Sequence, residues 1–161
     1  MSDFRRLAAC EVDEAARAGF MLLGVSVFDH VLTEAECADP ELVPFFFHRQ
    51  AREKGLEAQY LEVERRFVAL VDRLAEGGVA LIHKPARLKA LRPGGARYRA
   101  LVRRSLREKF SSDIYFPEFG ARWVFGFDMT HWIILSDAAQ ADKVKALVEA
   151  AGLHTHVVEG G

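Results

Sequence analysis

The run of residues 20–28, Phe-Met-Leu-Leu-Gly-Val-Ser-Val-Phe, narrows the folds open to this chain more than any other stretch. It is far shorter than the roughly 20 apolar residues that span a bilayer. It carries β-branched residues and has no period that would leave one side in water. Those properties fit an interior strand covered on both faces. Glu11, Asp13 and Glu14 precede it, where a secretory leader would carry positive charge. Cys10 and Cys37 are the two cysteines, and neither sits in a CxxC. Reduced thiols in a cytoplasmic protein are the simplest reading of that usage.

Around this run, helical and extended patterns alternate. Phe4, Leu7, Ala8, Val12 and Ala15 recur at helical spacing and predict a helix over 3–17, capped by Ser2 or Asp3 and stopped at Gly19. Thr33 and Glu36 stand at capping-box spacing before a short helical turn. Asp39 and Pro40 predict a further helix start, disturbed by Pro44 and resuming through Phe45, Phe46 and Phe47 to Lys54. Three phenylalanines in a row cannot all face inward on a helix, so one is left for a partner surface. Leu56, Tyr60, Val63, Phe67, Leu70, Val71 and Leu74 share one stripe of a helix over 56–75, closed by Gly77-Gly78.

Residues 79–83 read as a short strand, followed by a loop or short helix and a turn at Arg92-Pro93-Gly94-Gly95. Tyr98, Leu101, Val102 and Leu106 form the inner face of a helix over 96–110. Three extended segments, 113–116, 121–127 and 130–135, are joined by short junctions and predict an antiparallel meander. A helix over 138–151, capped by Ser136 or Asp137 and ended by Gly152, leads into a last strand over 153–158. The pattern predicts an α+β fold: a mostly antiparallel sheet, made of the C-terminal meander plus the last strand, packed on one side by amphipathic helices. With 161 residues, half of them apolar, residues 1–161 are read as a single domain.

Charge is distributed unevenly. The whole chain is net -1, but residues 84–109 hold 10 basic residues against 1 acidic, a local net of +9. Arg99, Arg103 and Arg107 recur every four residues on the helix over 96–110, flanked by Arg97 and Arg104. Like charges at this spacing repel by a few tenths of a kcal/mol per pair. The row therefore calls for an anion, which is an acidic protein partner, a phosphate-bearing ligand, a nucleic-acid backbone or the molecule's own carboxylates. The planar guanidinium fork suits oxyanions, and Gly94-Gly95 leaves backbone N–H groups to face one. The spacing is neither a Walker loop nor a dinucleotide fingerprint, and no cofactor motif is present. The interleaved exposed aromatics of an RNA-binding sheet are missing as well.

Asp128 and His131 flank a predicted hairpin tip, at a separation where a carboxylate can orient an imidazole for general-base work. The plainer reading gives Asp128 to turn geometry. No Gly-x-Ser-x-Gly elbow accompanies them. His154 and His156 point to one face of the last strand, and His131 or Glu159 would be needed to complete a metal site.

The C-terminal third, a meander with an Asp at its turn followed by helix and strand, resembles in arrangement small bacterial immunity-type and accessory proteins. The excess of 16 Arg over 6 Lys and the lack of Asn also suit a GC-rich bacterial genome. The leading expectation is a non-catalytic binding protein of the bacterial cytoplasm that engages an acidic protein partner. The candidate contact residues are Arg97, Arg99, Arg103, Arg104 and Arg107, with Asp128 and His131 as a second group. A binder of phosphate-bearing ligands or nucleic acid through residues 84–109 is the first alternative. A small enzyme using Asp128 and His131, or a metal on His131, His154 and His156, is the second. No membrane contact is expected.

Overall fold

The run that dominates the sequence becomes β1 (Met21–Ser26), which is hydrogen-bonded on both edges. In the computed structural model, which describes residues 3–109, 112–126 and 128–160, its side chains alternate between two apolar layers. Leu23 and Val25 enter the larger core, while Leu22 faces a smaller one on the opposite side. Both faces are covered, as the continuous apolar run requires.

The chain before β1 forms α1 (Asp3–Ala9) and a single 3-10 turn at Val12–Glu14. After it come α2 (Glu34–Ala38), α3 (His48–Glu53) and the long α4 (Glu57–Leu74). A hairpin of β2 (Val79–His83) and β3 (Arg87–Leu91) leads to α5 (Ala96–Leu106). The meander is β4 (Ile114–Phe116), β5 (Ala121–Val124) and β6 (His131–Leu135). Then follow α6 (Ala141–Ala150) and β7 (His154–Val158). All seven strands join one antiparallel sheet in the order β3-β2-β4-β5-β6-β1-β7. The fold is α+β, with a mostly antiparallel sheet packed by amphipathic helices. Among the described residues no helix is long and apolar enough to cross a membrane.

The stripe on α4 is buried as its spacing predicts, with Phe67, Leu70, Val71 and Leu74 set against the sheet. Each such side chain contributes about 1.5–3 kcal/mol when fully removed from water. Tyr98, Leu101 and Leu106 of α5 and Val144 and Val148 of α6 complete this layer. Helix α6 ends as predicted: Gly152 takes a positive φ of 76°, and the Leu153 N–H bonds the Val148 carbonyl while its side chain is buried. The Thr33 capping box and the Asp137 cap form as well.

Four expectations need correction. The first helix stops at Ala9, because the guanidinium of Arg122 binds the carbonyls of Leu7 and Cys10 at 2.8 and 2.6 Å. Those acceptors would otherwise have carried the helix onward. That binding also places α1 on the sheet face opposite α4–α6, so helices lie on both sides rather than one. Residues 39–47 are not helical: Pro44 disfavours helical geometry at the residue before it and lacks a donor of its own, so the single turn closed by the Val43 N–H on the Asp39 carbonyl at 2.8 Å goes no further. Phe45 turns inward there and Phe47 stays exposed. Finally, the segment read as a loop or short helix before Leu91 is the edge strand β3, paired residue for residue with β2. Ser2, Phe110 and Phe127, assigned above to a cap, a helix end and a strand end, lie outside the described residues.

Candidate functional site

Helix α5 follows β3 through a turn in which the Gly95 N–H bonds the Arg92 carbonyl at 3.0 Å. That donor is therefore spent on the turn and does not face an anion, contrary to the sequence reading. Burial of Tyr98, Leu101, Val102 and Leu106 fixes the rotation of α5, and the Tyr98 hydroxyl donates to Asp72 at 2.9 Å. The opposite face carries Arg97, Arg99, Arg103 and Arg104, all exposed. Among the described residues none of these four has a carboxylate within 4.0 Å.

Arg107 behaves differently and leaves the row. It turns toward α4 and grips Glu64 with two hydrogen bonds of 2.7 and 2.9 Å. This pair is largely buried and sits beside Tyr60, whose hydroxyl is pushed well above its usual range by burial and by the Glu64 charge. Arg107 is thus a structural clamp between helices, not a free contact residue.

The basic surface extends onto β3. Arg87 and Lys89 lie on the same strand face as Leu91, the face that bears α5, and both are exposed with Arg92. Strand β3 ends the sheet, so its outer edge has no strand partner among the described residues. The site is an exposed arginine face together with an open strand edge of the same charge.

Asp128 and His131 are not brought together. His131 points into the larger core, 2% exposed, with its ring against Phe67, Trp123 and Phe125. Its Nδ1 accepts the Gly126 N–H at 3.0 Å, and burial pushes its pKa down to about 3. It is a neutral core acceptor. Asp128 is an exposed turn residue with a φ of 55°, in the left-handed region that Asp tolerates. His131 also faces away from His154 and His156, and no group of three metal-ligating side chains forms among the described residues.

Two of the clefts lie on the sheet face that carries α1. The larger, about 840 Å³, contains Arg122, Asp113 and Lys84. Its central charges are already matched, since Arg122 holds Asp113 at 2.7 Å. The second, about 660 Å³, lies over β1, β6 and β7 under the segment leading to α3. Here His156 Nε2 meets Ser26 Oγ at 3.1 Å, a pairing of residues 130 positions apart that no sequence motif announces. The Ser26 hydroxyl also receives the Phe28 N–H at 3.2 Å and bonds the Phe28 carbonyl at 3.3 Å. With Ser26 buried and its oxygen held in this way, the pair shapes the cleft floor and presents no open nucleophile. No family model, curated protein or solved structure matches the chain.

Proposed function

We propose that this protein is a binding protein whose basic end, built from α5 and β3, engages an acidic segment of another protein. One observation carries the reading: Arg97, Arg99, Arg103 and Arg104 stand exposed on one helix face with no carboxylate in reach among the described residues. Several other arginines are paired with carboxylates, as in Arg65 with Glu62 and Arg73 with Glu76. The open edge of β3 favours a protein over a nucleic acid. An extended acidic strand would gain backbone hydrogen bonds from β3 and place its carboxylates against Arg87 and Lys89. Nucleic-acid platforms instead add exposed aromatics for base stacking, and the one aromatic of α5, Tyr98, is buried. The free thiols of Cys10 and Cys37 support a reducing, cytoplasmic setting.

The test uses a fluorescent peptide that alternates Glu with Val, alongside a duplex DNA of equal charge. The peptide should bind the full chain, with affinity falling as salt rises. The variant carrying Arg97→Gln, Arg99→Gln, Arg103→Gln and Arg104→Gln should lose at least about tenfold, at 1.4 kcal/mol per decade spread over four contacts. Tighter binding of the DNA than of the peptide would replace this reading with a nucleic-acid one. Equal peptide binding by wild type and variant would remove the arginine face from any role.

A further inference from the structure

The cleft of about 660 Å³ lies toward the β1–β7 edge of the sheet, away from the basic end on β3. Its volume falls within the range of small-molecule sites. Its surface is mainly apolar. Trp132 and Val158 form part of the floor, and Phe28, Val31, Val43 and Phe46 form the overlying wall. Val31 is 74% exposed, so an apolar side chain stands in water at the mouth. The floor owes its shape to Gly24: a Cβ there would come within 3.1 Å of the Trp132 ring, which instead lies across the glycine.

The polar groups decide what the cleft takes. Among the described residues no Lys or Arg lines it. Asp128 lies at one end with no cation within 4.0 Å among the described residues, and the Glu108 carboxylate stands near enough to be influenced by its charge. On the wall, His30 is held between two carboxylates, by Asp29 at 2.7 Å and Glu36 at 2.9 Å. Even with that imidazole charged, the trio is net negative. His156 is kept toward its neutral form by burial. Carboxylates therefore outnumber cations around an aromatic-lined cavity, and aromatic faces attract cations within about 6 Å.

We infer that this cleft binds a small ligand with an apolar, ring-sized body and a cationic amine head, the amine directed to Asp128 and the body laid on Trp132. An anionic ligand would meet a surround that is negative on balance. A neutral one would gain the apolar surface but leave Asp128 unanswered.

Three probes of matched shape test this on the full chain: 2-phenylethylamine, its neutral counterpart 2-phenylethanol and the anion 3-phenylpropionate. Binding is followed by NMR through the Trp132 indole N–H and the Gly24 amide. The amine should shift both signals and bind about fivefold tighter than the alcohol, the gain of one partly exposed ion pair. The acid should bind weakest. Asp128→Asn keeps the left-handed turn, because Asn adopts that conformation as readily. It should weaken the amine about fivefold and leave the alcohol within about twofold. Val158→Lys, at an exposed edge position, should invert the order and favour the acid. An acid that binds wild type as tightly as the amine overturns the inference. So does an amine affinity unchanged in Asp128→Asn, or shifts confined to residues outside the cleft. These outcomes are independent of the basic end, because none of the probes is an acidic peptide and no variant touches α5 or β3.

Discussion

His131 shows what a single side chain contributes when burial overrides its usual chemistry. In an unfolded chain an imidazole titrates near 6.5, whereas the ring set among Phe67, Trp123 and Phe125 has its pKa pushed down to about 3. Below pH ~6.5 the unfolded state takes up a proton that the folded state refuses. The stability present above that pH is therefore lost as the pH falls, by about 1.4 kcal/mol per unit until the folded pKa is reached. His131→Phe retains an aromatic ring but removes the acceptor of the Gly126 N–H. At neutral pH the variant should be less stable by about 1–3 kcal/mol, the cost of an unsatisfied buried donor. At about pH 4.5 the deficit should vanish or reverse, because only the wild type has lost stability through this group. Urea unfolding at both values decides it. A deficit that stays constant across that range would show that the ring is not the source of acid sensitivity.

Among the elements, α1 is the one held by polar bonds as much as by packing. Leu7 is buried against Leu22 and Ile134, but the helix end is tied down by Arg122, which joins the Leu7 and Cys10 carbonyls to Asp113. Arg122→Leu would leave a half-buried carboxylate and two carbonyls without donors. The expected loss is about 3–5 kcal/mol, the usual result of removing one partner from a buried ion pair. Amide exchange should rise first in α1. The double variant Arg122→Leu, Asp113→Leu should recover part of the loss, since the stranded charge is gone. A single-variant loss under about 1 kcal/mol would mean that apolar contacts alone seat the helix. The same element shows where sequence reading stops. Helices α4, α5 and α6 and the meander were legible because each carries its own apolar stripe. The end of α1 was not, because its acceptors are claimed by a residue 115 positions away from Leu7. Strand β3 was missed for a related reason. Of its residues only Leu91 is buried, so pairing with β2 and not burial makes it a strand. The arginine face was legible from charge spacing, save that Arg107 is captured by Glu64 of another helix. Nothing local in the sequence links Ser26 to His156 or lays Trp132 across Gly24.

At the scale of the whole molecule the charges are sorted. One end of the sheet carries the arginines of α5 and the basic strand β3, and among the described residues the cleft at the other is lined without Lys or Arg. Such sorting does nothing for the fold. Arg99 and Arg103 sit one turn apart on an exposed face, so the pair opposes the helix by a few tenths of a kcal/mol. Gln has nearly the helix propensity of Arg. The fourfold glutamine variant at Arg97, Arg99, Arg103 and Arg104 should therefore be more stable than the wild type, by roughly 0.2–0.5 kcal/mol at low ionic strength. The gain should shrink in salt, because screening relieves the wild type of the same repulsion. Denaturant unfolding at two salt concentrations measures both effects. A variant that is less stable than the wild type, in a manner independent of salt, would mean that those guanidinium groups are bound within the molecule after all. A stabilised variant that no longer binds the acidic peptide would mark the arginine face as a binding surface retained at the expense of stability, as binding surfaces often are.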